Sequence, residues 1–338
     1  MARISLRSPY FFTRTALATA QSVLCEIRIN NSLKYSLLKS ATAGLDSIFE
    51  ISELCRDFLT LDYDGTPTVL GETYIDIDLS MYFYASKDGS GSALNPVYSQ
   101  DNNEGYDAYG YFNEGANPEM PFYLNANDSF LISPKLGSTT EWEIFAPFGQ
   151  EGFIPFIFNT GLRPIVDYKF YSSGATSVSI GAVSTCVINR IPCSKYGDGE
   201  RITFVNKYGQ FQDLWFSLKK VLTTSTTKET YQGINLTSSG AVTTYATNKP
   251  SKVVYNKEAT ERISLNSGYY PEGYNAVFEQ LLESEQVWIR TVDAGGTTQY
   301  LPLNVMTSSF VKKTKLNDKL IDYTIEFSEA YDKINNIR

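Results

Sequence analysis

Two glutamates, Glu141 and Glu143, flank Trp142. On an extended strand residues two apart point to the same side with Cα atoms about 6 to 7 Å apart. The two carboxylates would then stand side by side next to an aromatic ring, as a sugar-cleaving pair requires. The same spacing describes an exposed acidic face with Trp142 turned to a core, and no third group completes an active site. A calcium reading attaches to Asp62 and Asp64 before Gly65, and to the acidic run from Asp101 to Asp107. The EF-hand template fails in the second run, because counting from Asp101 the glycine falls at position five and position twelve is Phe112 rather than glutamate. Solvated turns account for both clusters, so no metal and no cofactor are expected.

The remaining chemistry is thin. The sequence has no histidine, which removes the commonest general base and metal ligand. It contains no dinucleotide fingerprint, no P-loop and no nucleophile elbow; Gly89-Ser90-Gly91 is a flexible loop. Cys25, Cys55, Cys186 and Cys193 lack metal-ligand spacing and read as reduced, buried thiols, with a Cys186 to Cys193 bridge across Ile191-Pro192 as the alternative. A net charge of −8 with dispersed Lys and Arg gives no basic stripe for a phosphate backbone, so a direct nucleic-acid partner is not expected. Lys312, Lys313 and Lys315, with Lys319 close by, either blunt an edge strand or meet an acidic neighbour in an assembly. No enzymatic activity is expected.

The elements that would carry these residues are strands. The chain is rich in aromatics, with 24 Tyr, 20 Phe and 3 Trp in 338 residues, which favours pleated sheets and contact surfaces. Runs such as 23–30, 33–39, 47–61 and 74–84 alternate apolar and polar residues between Asn-Asn, Ala-Gly and Asp-Gly turns. They predict an antiparallel sandwich of immunoglobulin or fibronectin type, with Ser52 to Phe58 as a short helical alternative. Asp76 and Asp78 share one face of the last run, opposite Ile75, Ile77 and Leu79.

From Lys87 to Asp128 the texture shifts to Gly, Asn, Asp and Tyr. Its rings argue for packing on something rather than disorder, so 87–128 is expected to be a projecting arm with Tyr106, Tyr109, Tyr111, Phe112 and Tyr123 as contact residues. An arm folded back on its own domain is the alternative. Further on, the stretch RITFVNKYGQFQDLWF at 201–216 and the block 285–327 both alternate bulky with polar residues, as half-buried strands do. Residues 271–284 predict one amphipathic helix, with Pro271 in its first turn and Tyr274, Val277, Phe278, Leu281 and Leu282 along one face. A four-stranded meander is expected over 287–291, 299–306, 308–316 and 320–327. The polar tract at 223–230 reads as an exposed strand end or loop. The expected fold is therefore mainly β: two antiparallel sandwich or barrel-like domains, 1–168 with the inserted arm and 169–338 with the helix packed on its sheet. The N-terminus lacks the apolar core of a secretory signal, and no segment approaches a membrane-spanning run; membrane insertion and export are not expected.

The runs SPYFFT at 8–13, ITFVNKYGQFQDLWFSLKK at 202–220, and the C-terminal block from Val287 with its LPLNV and YTIEF strands resemble virion structural proteins of tailed bacteriophages of Bacteroidetes-type hosts. The C-terminal shape is similar to β modules of distal-tail and baseplate-hub proteins. The resemblance implies a tail, baseplate or neck subunit assembled in the host cytoplasm and located in the virion. It implies ring-like homo-oligomers whose loops lock onto other tail or neck proteins. The alternative is a virion receptor-binding or carbohydrate-binding module whose aromatic arm stacks on host surface glycan.

Overall fold

The computed structural model describes residues 3–67, 74–118, 129–131, 141–159, 164–180, 184–192, 199–293, 295–309, 311–313 and 320–333. The N-terminal layer is built from β1 (Arg3–Ser5), β2 (Phe11–Thr15), β3 (Ser22–Ile29), β4 (Ser32–Ser40), β5 (Asp46–Glu50), β6 (Tyr74–Tyr84) and β7 (Tyr98–Tyr106), with a short helix α1 (Ser52–Arg56). A middle section supplies β8 (Ser129–Leu131), β9 (Glu141–Pro147), β10 (Gly152–Asn159), β11 (Pro164–Tyr171), β12 (Ser177–Ile180) and β13 (Ser184–Ile191). The rest contains β14 (Glu200–Val205), β15 (Phe211–Phe216), β16 (Lys220–Gln232), β17 (Leu236–Ser239), β18 (Val242–Tyr245) and β19 (Lys252–Asn266). It ends with β20 (Tyr270–Pro271), α2 (Asn275–Glu283), β21 (Val287–Val292), β22 (Thr298–Val305), β23 (Leu320–Ile321) and β24 (Thr324–Glu329). The fold is mainly β, as the alternating runs predict.

In the N-terminal layer the sheet order is β1-β7-β6-β3-β4. Alternation decides its faces: Ile75, Ile77, Leu79, Met81 and Phe83 of β6 are buried with Val23, Cys25 and Ile27 of β3, and the β2–β5 ribbon brings Phe12 and Phe49 into the same core. The short helical alternative at Ser52 is realised as α1. β1 joins β7 in parallel, so this layer is not purely antiparallel.

The projecting arm expected over 87–128 does not exist as one unit. Residues 98–106 are β7, hydrogen-bonded to β6 on one side and β1 on the other. The Asn and Gly content that suggested a loop instead serves an irregular strand. The register shifts between Ile77 and Leu79, and the buried Asn103 amide donates to the carbonyls of Ile77 and Gln100 at 3.1 and 2.7 Å. Gly105 lies so close to the apolar layer that a Cβ there would fall 2.6 Å from Ile77 Cδ1.

The seven-stranded sheet has the order β15-β14-β21-β22-β24-β19-β16. Helix α2 closes over it, burying Val277, Phe278 and Leu281 against Phe204, Phe216 and Phe327; the apolar face is as read, but the α-helix begins only at Asn275, with Pro271 in β20 and a 3-10 turn at Glu272–Tyr274 between them. The block 201–216 departs from the half-buried expectation, because the β14–β15 hairpin is covered on both sides. Ile202, Phe204, Leu214 and Phe216 face α2, whereas Trp215 packs with Ala146, Ile154 and Ile188 of the middle section and Val205 and Phe211 pack with Phe153 and Tyr168. In the expected meander, β21, β22 and β24 form and Tyr323, Ile325 and Phe327 are buried. The described part of 308–316 is not strand.

A division at 168/169 cuts through β11, which is paired along its length with β10. The middle section shares cores with β14, β15 and β21, so it belongs to the C-terminal body, and the change of core comes between β7 and β9.

Candidate interaction surface

Among the described residues, β16 and β19 form a ribbon whose first strand is exposed along its whole length. These strands pair antiparallel from Lys220 opposite Leu265 to Gln232 opposite Lys252. Only Arg262–Asn266 of β19 also reach β24, so beyond Thr223 the two strands leave the sheet as a pair. Nine further residues of β16 at roughly 3.4 Å each carry the ribbon about 30 Å outward. Every residue of β16 is exposed. Near its root the ribbon is braced by the C-terminal segment, where the Lys333 N–H donates to the Ala259 carbonyl at 3.2 Å and its ammonium pairs with Glu261.

The local sequence explains this geometry. Thr223, Thr224, Thr226, Thr227 and Thr230 hold the backbone extended through their branched Cβ atoms, yet the strand offers no apolar face to bury. At the outer end the register shifts between Glu229 and Thr230, and the rings of Tyr231 and Tyr255 stand 6.1 Å apart. A second small hairpin, β17–β18, forms the tip: Ser239 pairs with Val242, leaving a two-residue turn in which Gly240 takes φ +63°. That is the first turn position where a two-residue hairpin favours glycine. The tip presents apolar groups to solvent, with Ile234 90% and Tyr245 73% exposed, and Leu236, Val242, Val254 and Tyr255 also exposed. An isolated two-stranded ribbon is marginal in water, and exposed apolar groups gathered at its end mark a surface built to be covered.

The residues expected to make contacts from 87–128 are mostly engaged inside the chain. Tyr106 is 2% exposed; its hydroxyl donates to Glu104 Oε2 at 2.8 Å and the Arg3 guanidinium lies 5.2 Å from its ring centre. Tyr109 and Tyr111 donate to the same oxygen, Glu283 Oε2 on α2, at 2.6 and 3.0 Å. Burial first, and then the Glu283 carboxylate, push both phenols above the usual tyrosine range. The Arg7 guanidinium covers the Tyr109 ring at 4.7 Å, and the Lys207 ammonium lies 4.4 Å from the Tyr111 ring centre. The segment is therefore a clasp between the N-terminal layer and α2. Of the named rings Phe112 alone, among those described, points fully to solvent; Tyr123 lies outside the described residues.

Lys312 pairs with Glu279 at 2.9 Å and Lys313 with Asp322 at 3.2 Å, so their acidic partners lie on this chain; Lys315 lies outside the described residues. Glu143 accepts a hydrogen bond from Asn189 Nδ2 at 2.7 Å, and burial raises its carboxyl. The Glu141 side chain is not among those described. Asp64 accepts from the Thr66 N–H at 3.0 Å, a local turn contact, and no group of three metal-ligating side chains is present among the described residues. Cys25, Cys55 and Cys186 are free and buried, so Cys186 is not bridged. A cleft of about 460 Å³ is lined by Asp64, Glu151, Tyr171, Arg201 and Arg290 among others. Its buried cation, Arg201, is already paired with Asp213 at 2.9 Å.

Sequence reading missed the ribbon because strand signals rest on one apolar face, and β16 has none. The usable signal was the density of β-branched threonine in 223–230 facing a second long run, 252–266, across a tip with a Ser-Gly turn at Ser239-Gly240.

No family model, curated protein or solved structure matches this chain. No helix among the described residues is long and apolar enough to cross a membrane.

Proposed function

We propose that this chain is a non-enzymatic structural subunit of a phage tail, baseplate or neck assembly, a ring-forming homo-oligomer of the virion that also contacts neighbouring layers. The ribbon carries this reading. A two-stranded arm about 30 Å long, exposed on its whole first strand and ending in uncovered Ile234 and Tyr245, suits a molecule that reaches a neighbour. A head-to-tail contact of this kind closes into a ring when its rotation allows. The rigid body beneath it, with α2 packed on the seven-stranded sheet, provides the platform that keeps the arms in register. The phage setting is supported by the resemblance of 202–220 and the C-terminal block to tail proteins.

The glycan-binding alternative relied on an aromatic arm at 87–128, and nothing in the placement of Tyr106, Tyr109 and Tyr111 favours it. Electron micrographs of the purified chain are expected to show closed rings, and phage particles to contain it in fixed stoichiometry. A chain that stays monomeric at every concentration and is absent from particles contradicts the proposal.

A further inference from the structure

We propose that the cleft of about 460 Å³ lined by Asp64, Glu151, Phe170, Arg201, Arg290 and Tyr300 binds a neutral saccharide. This goes beyond the assembly reading above and stands whether or not the chain forms rings. The cleft opens where three parts of the fold meet: the start of β10 with the end of β11, the β21–β22 pair, and residues 64–66 of the loop that follows α1. Its size falls within the range of small-molecule sites, which favour such junctions.

The lining runs from a fixed floor to an open rim. Arg201 is buried and held by Asp213 and the Tyr63 hydroxyl, so its guanidinium cannot swing away. Phe153 is buried too and packs against Phe170 with ring centres 6.2 Å apart, yet Phe170 keeps 52% of its surface open. Arg290 and Tyr300 stand directly opposite each other on β21 and β22, which puts both half-buried side chains on one face. Gly65 lies so close to the Tyr300 ring that a Cβ there would fall 2.0 Å from Cε2, and this approach fixes the exposed Asp64 at the rim. Glu151 is the second exposed carboxylate of the lining.

The charges of this lining are not spent on one another. Arg290 makes no ion pair with a described residue; its guanidinium reaches Gln150 Oε1 at a long 3.5 Å. Asp64 accepts from the Thr66 N–H, and neither it nor Glu151 pairs with a described cation. Donors and acceptors are thus held around one space without closing it. A ligand that fits must accept from a guanidinium, donate to carboxylates and offer an apolar face to Phe170. A sugar ring does all three, because each hydroxyl both donates and accepts and its axial C–H groups form a patch that lies on an aromatic ring. An anion meets the two carboxylates, a zwitterion relies on exposed ion pairs that contribute little in water, and an apolar ligand leaves the polar lining unpaired.

Ligand binding to the full chain tests the site, by saturation-transfer NMR with maltose, lactose, N,N′-diacetylchitobiose and free phenylalanine, and on an array carrying neutral and acidic glycans. The proposal expects at least one neutral glycan to bind, with an affinity unchanged between about 0.05 and about 0.5 M salt, because the ligand carries no charge to screen. Phe170→Ala and Arg290→Ala should each weaken that binding at least tenfold at an unchanged melting temperature, whereas Phe112→Ala, an exposed ring outside the cleft, should leave it as it was. If either cleft variant loses melting temperature, Asp64→Asn with Glu151→Gln, both at exposed positions, reads the same site and should weaken binding at least threefold. Neutral glycans that all fail to bind, binding that survives these substitutions, or binding confined to acidic glycans or to phenylalanine overturns the proposal.

Discussion

The hydroxyl of Tyr63, on the loop that leaves the N-terminal layer, lies 3.1 Å from Nη2 of Arg201 at the start of β14. The same hydroxyl accepts from Thr203 Oγ1 at 3.2 Å, and its ring sits among Phe153, Phe211, Trp288 and Tyr300 with centroids 4.9 to 6.4 Å away. Tyr63 thus plugs the N-terminal layer into the C-terminal body. It also shields the buried pair between Arg201 Nε and Asp213 Oδ2, which are 2.9 Å apart.

Truncating the plug should cost more than silencing its polar tip. Tyr63→Ala removes a buried ring and leaves a cavity, an expected loss of about 3 to 5 kcal/mol. Tyr63→Phe removes only a hydrogen-bonding group, about 1 to 2 kcal/mol. Asp213→Ala strands the Arg201 charge inside the protein and should cost about 3 to 5 kcal/mol. Urea denaturation of the three variants gives this order; equal losses for Tyr63→Phe and Tyr63→Ala would show that the ring is not packed as described.

The clasp on Glu283 makes stability fall at high pH. Tyr109 and Tyr111 are buried and share a carboxylate acceptor, so their folded-state phenols hold protons above the usual range. The unfolded chain loses those protons near pH 10. The folded form therefore binds more protons above that point, and stability that is complete below about pH 10 declines as pH rises through the folded values. Chemical denaturation between pH 8 and 11 should show the decline, and Tyr109→Phe with Tyr111→Phe should make it shallower, the remainder coming from other buried phenols such as Tyr63, Tyr106, Tyr171, Tyr270 and Tyr274. An unchanged slope in the double variant would place these rings in solvent.

Three thiols should be silent in the native state. Burial pushes Cys25, Cys55 and Cys186 up to about 12, so at pH 8 almost no thiolate forms there, and the thiolate is the reactive species. Titration with a chromogenic disulfide at pH 8 should leave these three unmodified until denaturant is added. Rapid modification of Cys186 would contradict its position in the core shared by β10, β13 and β15.

Fold class and the faces of individual strands were legible because burial on one face imposes period two: Ile75 to Phe83 and Tyr323 to Phe327 are placed as the pattern requires. The α2 face was legible for the same reason at period 3.6. The pattern failed where a strand is covered on both sides, as in 201–216, or on neither, as in β16. Composition misled at 98–106, because Asn103 and Gly105 serve a bulged, closely packed strand and not a loop. The candidate surface was the least legible feature. Its residues are ordinary polar strand formers, and they become an arm because, among the described residues, no third strand pairs with them beyond Thr223.

Shortening the ribbon measures the central claim most directly. Replacing residues 228–257 by Asn-Gly leaves Thr227 and Glu258 paired across a two-residue turn and removes none of the residues packed beneath α2. Mass photometry of the full chain is expected to show a discrete oligomer, and that of the shortened chain a monomer with an unchanged melting temperature. A shortened chain that assembles as well as the full one would contradict the assignment of assembly to this arm.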